Sequence, residues 1–358
     1  MSAPRLRDDL AGQEPYGAPQ LTVPVVLNVN ENPYPPSPAL RRAMAEAIYE
    51  AAGALNRYPD REAWELRRDL SRYLGHGLGP DNVWVANGSN EIMSQLLTAF
   101  GGPGRRMLTF TPTYSMYPEY ARNSCTEYVT VPRREDHSVD ATLVLEAVAR
   151  HQPSVVVITT PNNPTGAGTL PDVIDEICAV SDAVIVVDEA YQEFSRQPSS
   201  LSLIARHSNL VVTRTMSKAF AMAGARVGYL AASQEIVDAC RIVRLPYHVS
   251  VQTQVVARVA LAHQDELLAQ VGELAEQTRQ LQAWLSDNGY EVVPSEANFV
   301  LFGRFRDRHA VWQALLDRGI LIRETGPEGF LRVSAGTPEE MTRLRSALTQ
   351  INPEGRQS

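Results

Sequence analysis

Short runs of aliphatic and β-branched residues punctuate the middle of the chain: Val83–Val85, Met107–Phe110, Ser154–Thr160, Ala183–Val187 and Asn209–Thr213. Amphipathic stretches of helical spacing lie between several of them. An apolar run without alternation suits a strand covered on both faces. The pattern therefore predicts an α/β fold, a mostly parallel sheet with crossover helices on both faces. Past residue 250 the pattern changes. Helical periodicity runs from about 250 to 288, followed by alternating segments at Glu291–Val293, Asn298–Phe302, Leu321–Arg323 and Leu331–Ser334 and a closing helix. That order predicts a second, smaller α+β unit.

The leading part of the chain is different again. Residues 1–25 are rich in Pro, Gly and Gln and read as an arm laid on something else. The stretch NENPYPPSP is too proline-rich for a helix or a central strand, so it should be an extended loop. Pro38 then opens the helical run ALRRAMAEAIYEAA. The expected organisation is an arm (1–25), a large domain (51–250) and a discontinuous small domain made of 26–50 with 251–358.

Composition narrows the function. The 358 residues are 44% hydrophobic and 21% charged, enough to bury a core without disulfides or a structural metal. The net charge of −8 argues against nucleic acid, for which a basic surface supplies most of the non-specific affinity. Any anionic ligand must then be held by a few placed cations and amides. Cys125, Cys178 and Cys240 are odd in number and far apart, so they form neither a disulfide framework nor a zinc cluster. The first twenty residues lack an apolar signal core, and no apolar run approaches a membrane span. The expectation is a cytoplasmic enzyme with no membrane partner and no metal.

In open parallel sheets ligands bind beyond the carboxyl ends of the strands, so the residues there carry the chemistry. After Val83–Val85 comes Asn87-Gly88-Ser89-Asn90-Glu91 at the start of a helix, which is either a plain helix cap or an anion site. After Ser154–Thr160 comes Pro161-Asn162-Asn163-Pro164, a rigid polar loop that is a bare turn or a pair of positioned donors. Asp188 ends an all-apolar run with no adjacent base. It is a capping residue or a buried carboxylate awaiting a cation. Lys218 follows Thr215 and Ser217 and precedes apolar Ala219 and Phe220, with Arg226 eight residues on. A surface lysine is one reading of it; a desolvated nucleophile with a lowered pKa is the other. Each fragment is weak alone, and their order along successive strand ends is the stronger signal.

PNNPTG, DEAY and TMSKAFAMAGARVGY in that order resemble the pyridoxal-phosphate aminotransferases of fold type I. Within them the chain is most similar to the histidinol-phosphate aminotransferase family. LNVNENPYPPS (27–37), NRYPD (56–60), WVANGSNEI (84–92), VDEAYQEFS (187–195), VRLPYHVS (243–250), SEANFVLFG (295–303) and GILIRETG (319–326) carry the match. The YGAPQ arm and the RLPYH segment resemble actinobacterial members. The tail FLRVSAGTPEE and the short LGHGLGPD stretch (74–81) depart from the usual pattern.

The resemblance implies a role for each residue. Lys218 would bond the aldehyde of pyridoxal 5'-phosphate, Asp188 would pair with its protonated ring nitrogen, and Asn163 and Tyr191 would bond its phenolic oxygen. Tyr114 would stack on the ring. Ser89, Asn90, Thr215, Ser217 and Arg226 would hold the phosphate, with Tyr58 reaching the phosphate of the neighbouring subunit in a homodimer. Arg332, with Arg323 as companion, would clamp the substrate anion, and Tyr16, Asn90 and Tyr247 would meet the imidazole end. The implied reaction is ping-pong amino transfer between glutamate/2-oxoglutarate and imidazole acetol phosphate/histidinol phosphate in histidine biosynthesis. An aromatic amino-acid aminotransferase on the same scaffold is the alternative. A decarboxylase acting on an amino-acid phosphate and a non-enzymatic regulator are more distant ones.

Overall fold

The computed structural model describes residues 5–351. The described strands are β1 (Val25–Val26), β2 (Val83–Ala86), β3 (Arg106–Thr111), β4 (Glu127–Pro132), β5 (Val155–Thr159) and β6 (Val184–Asp188). They continue with β7 (Leu210–Thr215), β8 (Gly228–Ala232), β9 (Glu291–Val293), β10 (Phe299–Gly303), β11 (Ile320–Leu321) and β12 (Phe330–Ser334). Seven of them form one sheet in the order β2-β8-β7-β6-β5-β3-β4.

The five strands β7, β6, β5, β3 and β4 run parallel, as the unalternated apolar runs require. Both faces are covered. In β5, Val156 and Ile158 enter one hydrophobic cluster and Val155 and Val157 the other, and all four are fully buried. β8 is antiparallel to both β2 and β7, so β2 points the same way as the parallel set. The carboxyl ends of β2, β3, β5, β6 and β7 therefore share one edge of the sheet. Ala86, Thr111, Thr159, Asp188 and Thr215 stand there, beside Gly228 at the start of β8.

Two strands escaped the apolar pattern. β4 is the sheet's outer strand and is only half-buried, so polar Glu127 and Thr130 interrupt it. β8, GYLAA, is fully buried but includes Gly228, Ala231 and Ala232, and Gly228 packs closely on the neighbouring loop.

β9, β10 and β12 form a separate antiparallel sheet, and β1 pairs in parallel with β11. Val25 and Leu27 pack there with Leu285, Phe302 and Leu344. The helix Pro38–Ala52 begins where Pro38 places it, capped by Ser37, whose hydroxyl accepts the N–H of Leu40 at 3.1 Å. Its Leu40 is buried in the core of the large sheet, together with Ala257 and Ala260. The long helical run expected from 250 to 288 breaks at His263 into Val251–Ala262 and Gln264–Asp287. No helix of the described residues is long and apolar enough to cross a membrane.

Candidate active site

A cavity of about 420 Å³ opens at the carboxyl edge of the large sheet. It is lined by Tyr16, Ser89, Asn90, Tyr114, Asn163, Asp188, Tyr191, Thr215, Ser217, Lys218, Arg226, Arg323 and Arg332, residues that lie up to 316 positions apart in sequence. Tyr58 and Tyr247 do not line it. Their rings stack on each other at 4.4 Å, with Tyr58 79% exposed.

One end of the cavity is an anion cradle. Gly88 has φ +88°, a conformation L side chains rarely adopt, and a Cβ there would lie 2.4 Å from Nη2 of Arg226. A Cβ on Gly228 would meet the Gly88 carbonyl carbon and the Ser89 nitrogen at 2.1 Å. Both glycines let the loop, β8 and the guanidinium close on one another. The Gly88 carbonyl accepts the N–H groups of Glu91 at 3.1 Å and Ile92 at 3.4 Å. Those of Ser89 and Asn90, in the first turn of Ser89–Phe100, remain for a ligand. Arg226 Nη1 donates to Ser217 Oγ at 3.4 Å and to the Ala223 carbonyl at 3.2 Å. Thr215 Oγ1 accepts the Ser217 N–H at 3.1 Å and lies 3.0 Å from its hydroxyl.

Asp188 lies at the centre, 5% exposed. Its Oδ2 accepts from the Tyr117 hydroxyl at 2.8 Å and its Oδ1 from Thr213 at 3.3 Å. Burial raises its pKa above the usual carboxylate range, against the pull of these bonds and of the Ala190 N–H. These donors are neutral, so a cationic ring nitrogen in the cavity would supply the charge the carboxylate lacks. The Tyr191 hydroxyl, also buried, accepts from Asn30 Nδ2 at 2.9 Å and lies 3.5 Å from Asn163 Nδ2. Asn162, by contrast, turns inward, bonding the Pro112 carbonyl and Thr165. Of the two loop asparagines only Asn163 lines the cavity. A phosphorylated pyridine cofactor fits this set from its ring nitrogen to its phosphate.

Lys218 Nζ donates to the Val29 carbonyl at 2.7 Å. Burial lowers its pKa to about 8, helped by the positive charges of Arg332 and Arg226 and opposed by Glu31. Beyond it, Arg332 is 6% exposed. Its Nη1 bonds Asn163 Oδ1, its Nη2 donates to the Asn28 carbonyl at 2.7 Å, and its guanidinium lies 5.2 Å from the Phe299 ring centre. Burial lowers its pKa to about 10. Its Nε is buried with no hydrogen-bond partner among the described residues. Arg323 stands opposite, the two backbones exchanging N–H···O bonds of 2.9 Å in each direction. The cavity thus carries the guanidinium groups of Arg226, Arg323 and Arg332 and the amine of Lys218.

Asn28, Val29 and Asn30 were not singled out in the sequence, yet they receive Arg332 and Lys218 and bond Tyr191. Their signal is the motif LNVNENPYPPS, which carried the family resemblance without assigning these three residues a role. Tyr117 was missed as well; it lies behind Asp188, three residues past Tyr114. Tyr16, on the arm, reaches the cavity with its hydroxyl 2.9 Å from Ser115 Oγ.

Residues 22–348 match the family of aminotransferase class I and II. The histidinol-phosphate aminotransferase of Thermobifida fusca is 59% identical, over 96% of this chain and 94% of that protein. That of Frankia casuarinae is 53% identical, over 96% of this chain and 89% of that protein. Among solved structures, histidinol-phosphate aminotransferase from Sinorhizobium meliloti in complex with pyridoxal-5'-phosphate superposes with a TM-score of 0.81 at 27% identity, covering 92% of this chain and 91% of that one. The chain belongs to the class I and II aminotransferases, pyridoxal-phosphate enzymes of fold type I.

Proposed function

We propose that the chain is a histidinol-phosphate aminotransferase of histidine biosynthesis. It exchanges an amino group between glutamate/2-oxoglutarate and imidazole acetol phosphate/L-histidinol phosphate in two half-reactions. The observation that carries this reading is a second pair of cations, Arg332 and Arg323, lining a cavity already furnished with Ser89 and Arg226. Two phosphates, one of the cofactor and one of the substrate, suit those two pairs. A glutamate carboxylate suits the Arg332–Arg323 pair equally well.

Bound pyridoxal phosphate supplies an electron sink and stores the amino group between the half-reactions. The chain supplies the rest. Asp188 would hold the ring nitrogen's charge, and Asn163 and Tyr191 would meet the phenolic edge, all three lining the cavity. Lys218 Nζ would hold the cofactor by its aldehyde. With its pKa lowered to about 8, it can accept the proton from the substrate carbon and deliver it to the cofactor side. Arg332 and Arg323 orient the substrate so that this carbon faces Nζ. Tyr16 and Asn90 are left for the imidazole end.

A homodimer belongs to the same reading. Tyr58 and Tyr247 stack outside their own cavity, and Tyr49, Ile242 and Leu245 are exposed large apolar side chains as well. Exposed apolar side chains of this size suit an interface. Across it, the Tyr58–Tyr247 pair would complete the partner's cavity, with Tyr58 at the phosphate. The pairing of β1 with β11 supports the discontinuous small domain, whereas Leu40, buried under the large sheet, shifts its boundary toward residue 37. Three free thiols, two of them buried, suit a reducing compartment, the cytoplasm.

The test is a side-by-side measurement of kcat/KM for histidinol phosphate and phenylalanine. We expect histidinol phosphate to be preferred by about a hundredfold or more, since polar groups at Tyr16 and Asn90 that bond an imidazole are left unpaired by a phenyl ring. Equal rates would point to an aromatic aminotransferase instead.

A further inference from the structure

Next to Asp188, three hydroxyl groups connect by hydrogen bonds, the innermost on Tyr117 and the other two on Thr159 and Thr113, which line the cavity. Tyr117 is fully buried and donates to Asp188 Oδ2 at 2.8 Å. Its oxygen lies 2.6 Å from Thr159 Oγ1, which lies 3.2 Å from Thr113 Oγ1. A phenol has one proton. Because an ionised Asp188 can only accept, that proton goes to the carboxylate, and Tyr117 must in turn accept from Thr159. Thr159 has then spent its own proton and accepts from Thr113. The order Thr113, Thr159, Tyr117, Asp188 is forced by proton counting alone. Every dipole in it points at the carboxylate, and such chains strengthen their last bond.

We propose that Tyr117 is a positioning residue whose relay of hydroxyls from Thr159 and Thr113 keeps Asp188 ionised and turned toward the cofactor's ring nitrogen. The proposal rests on the assignment of Asp188 to that nitrogen. Asp188 needs such help because burial pushes its proton affinity up. The other ionisable groups around it are otherwise engaged. Glu189 is tied to Arg214 at 2.8 Å, and Tyr191 to Asn30. Lys218 reaches Val29, and Tyr114 meets Tyr117 edge-on at 5.6 Å. The buried guanidinium of Arg133 donates to the Phe110, His137 and Thr159 carbonyls. Its positive charge is felt by Tyr117.

The experiment uses holoenzyme loaded with cofactor labelled with nitrogen-15 in the ring, whose chemical shift reports whether that nitrogen is protonated. In the parent the signal stays protonated across neutral pH. In Tyr117→Phe, the pH at which the proton leaves falls by roughly 1–2 pH units, the equivalent of one bond to a charged group. kcat falls about 10–100-fold while KM changes little. Thr159→Val moves both readouts the same way by less, and Thr159→Ser restores them. Tyr120→Phe removes a neighbouring buried phenol, ring centre 6.4 Å from Tyr117, and leaves the signal in place. If Tyr117→Phe does not load cofactor, the Thr159 pair decides alone. A protonated parent with Tyr117→Phe or Thr159→Val unchanged in shift and kcat overturns the relay only. An unprotonated ring nitrogen in the parent overturns the role of Asp188, and the relay with it.

Discussion

The Nζ of Lys218 lies 2.7 Å from the carbonyl oxygen of Val29, a residue 189 positions earlier in the chain. The contact sets the N-terminal segment against the reactive amine, which is part-buried where it lines the cavity. Desolvation and the Arg332 charge then lower the lysine's pKa to about 8.

A pH dependence follows. Only the unprotonated amine attacks an aldehyde, so the rate at which the cofactor-free protein captures pyridoxal phosphate should rise with pH and level off above about 8. An exposed lysine would still be gaining rate near pH ~10. Arg332→Gln removes a positive neighbour, so the inflection should move to higher pH. Rapid mixing across a pH series, followed by the visible absorbance of the bound cofactor, measures both.

The phosphate cradle is the most sterically constrained part of the site. In Gly228→Ala the new Cβ would meet backbone at 2.1 Å, where nothing can swing away. That variant should lose cofactor binding, and its folding should suffer. Gly88→Ala meets a movable guanidinium at 2.4 Å but is strained by its φ of +88°. It should fold with about 1–3 kcal/mol less stability and bind cofactor more weakly. Denaturant melts with and without pyridoxal phosphate separate the two effects.

Arg332→Gln should lower kcat/KM about a hundredfold for both histidinol phosphate and glutamate, through loss of charge-assisted bonds to either anion. Arg332→Lys should rescue it only in part, because an ammonium cannot present a planar fork. Arg323→Gln should cost less, about tenfold, since Arg323 is the more exposed companion. Steady-state kinetics with each substrate in turn checks the order.

The proposed sharing of Tyr58 has a test that needs no structure of the assembly. Lys218→Ala and Tyr58→Ala homodimers should each be inactive or nearly so. After subunit exchange, a hybrid should regain activity, because one of its two cavities combines an intact Lys218 with an intact Tyr58 from its partner. If Tyr58 served its own chain, mixing would restore nothing.

What was legible in the sequence was the edge of the sheet. Unalternated runs such as VVVIT located strands buried on both faces, and so pointed to Asn163, Asp188 and Lys218 at their ends. What pairs with those residues was not legible. Tyr117 reaches Asp188 across 71 residues and Asn30 reaches Tyr191 across 161, separations that no local spacing encodes. Gly228 gave no hint of its role, since its constraint is the backbone of Gly88. Tyr247 was expected at the imidazole end, yet within one chain it stacks on Tyr58 instead.

The central claim, amino transfer at Lys218 to a phosphate-bearing substrate, is tested most directly by following the bound cofactor's visible absorbance through both half-reactions. Glutamate alone should abolish the band stoichiometrically. Imidazole acetol phosphate added next should restore it, and Lys218→Ala should do neither over repeated cycles. A band indifferent to glutamate, or a Lys218→Ala enzyme that turns over repeatedly, would contradict the account.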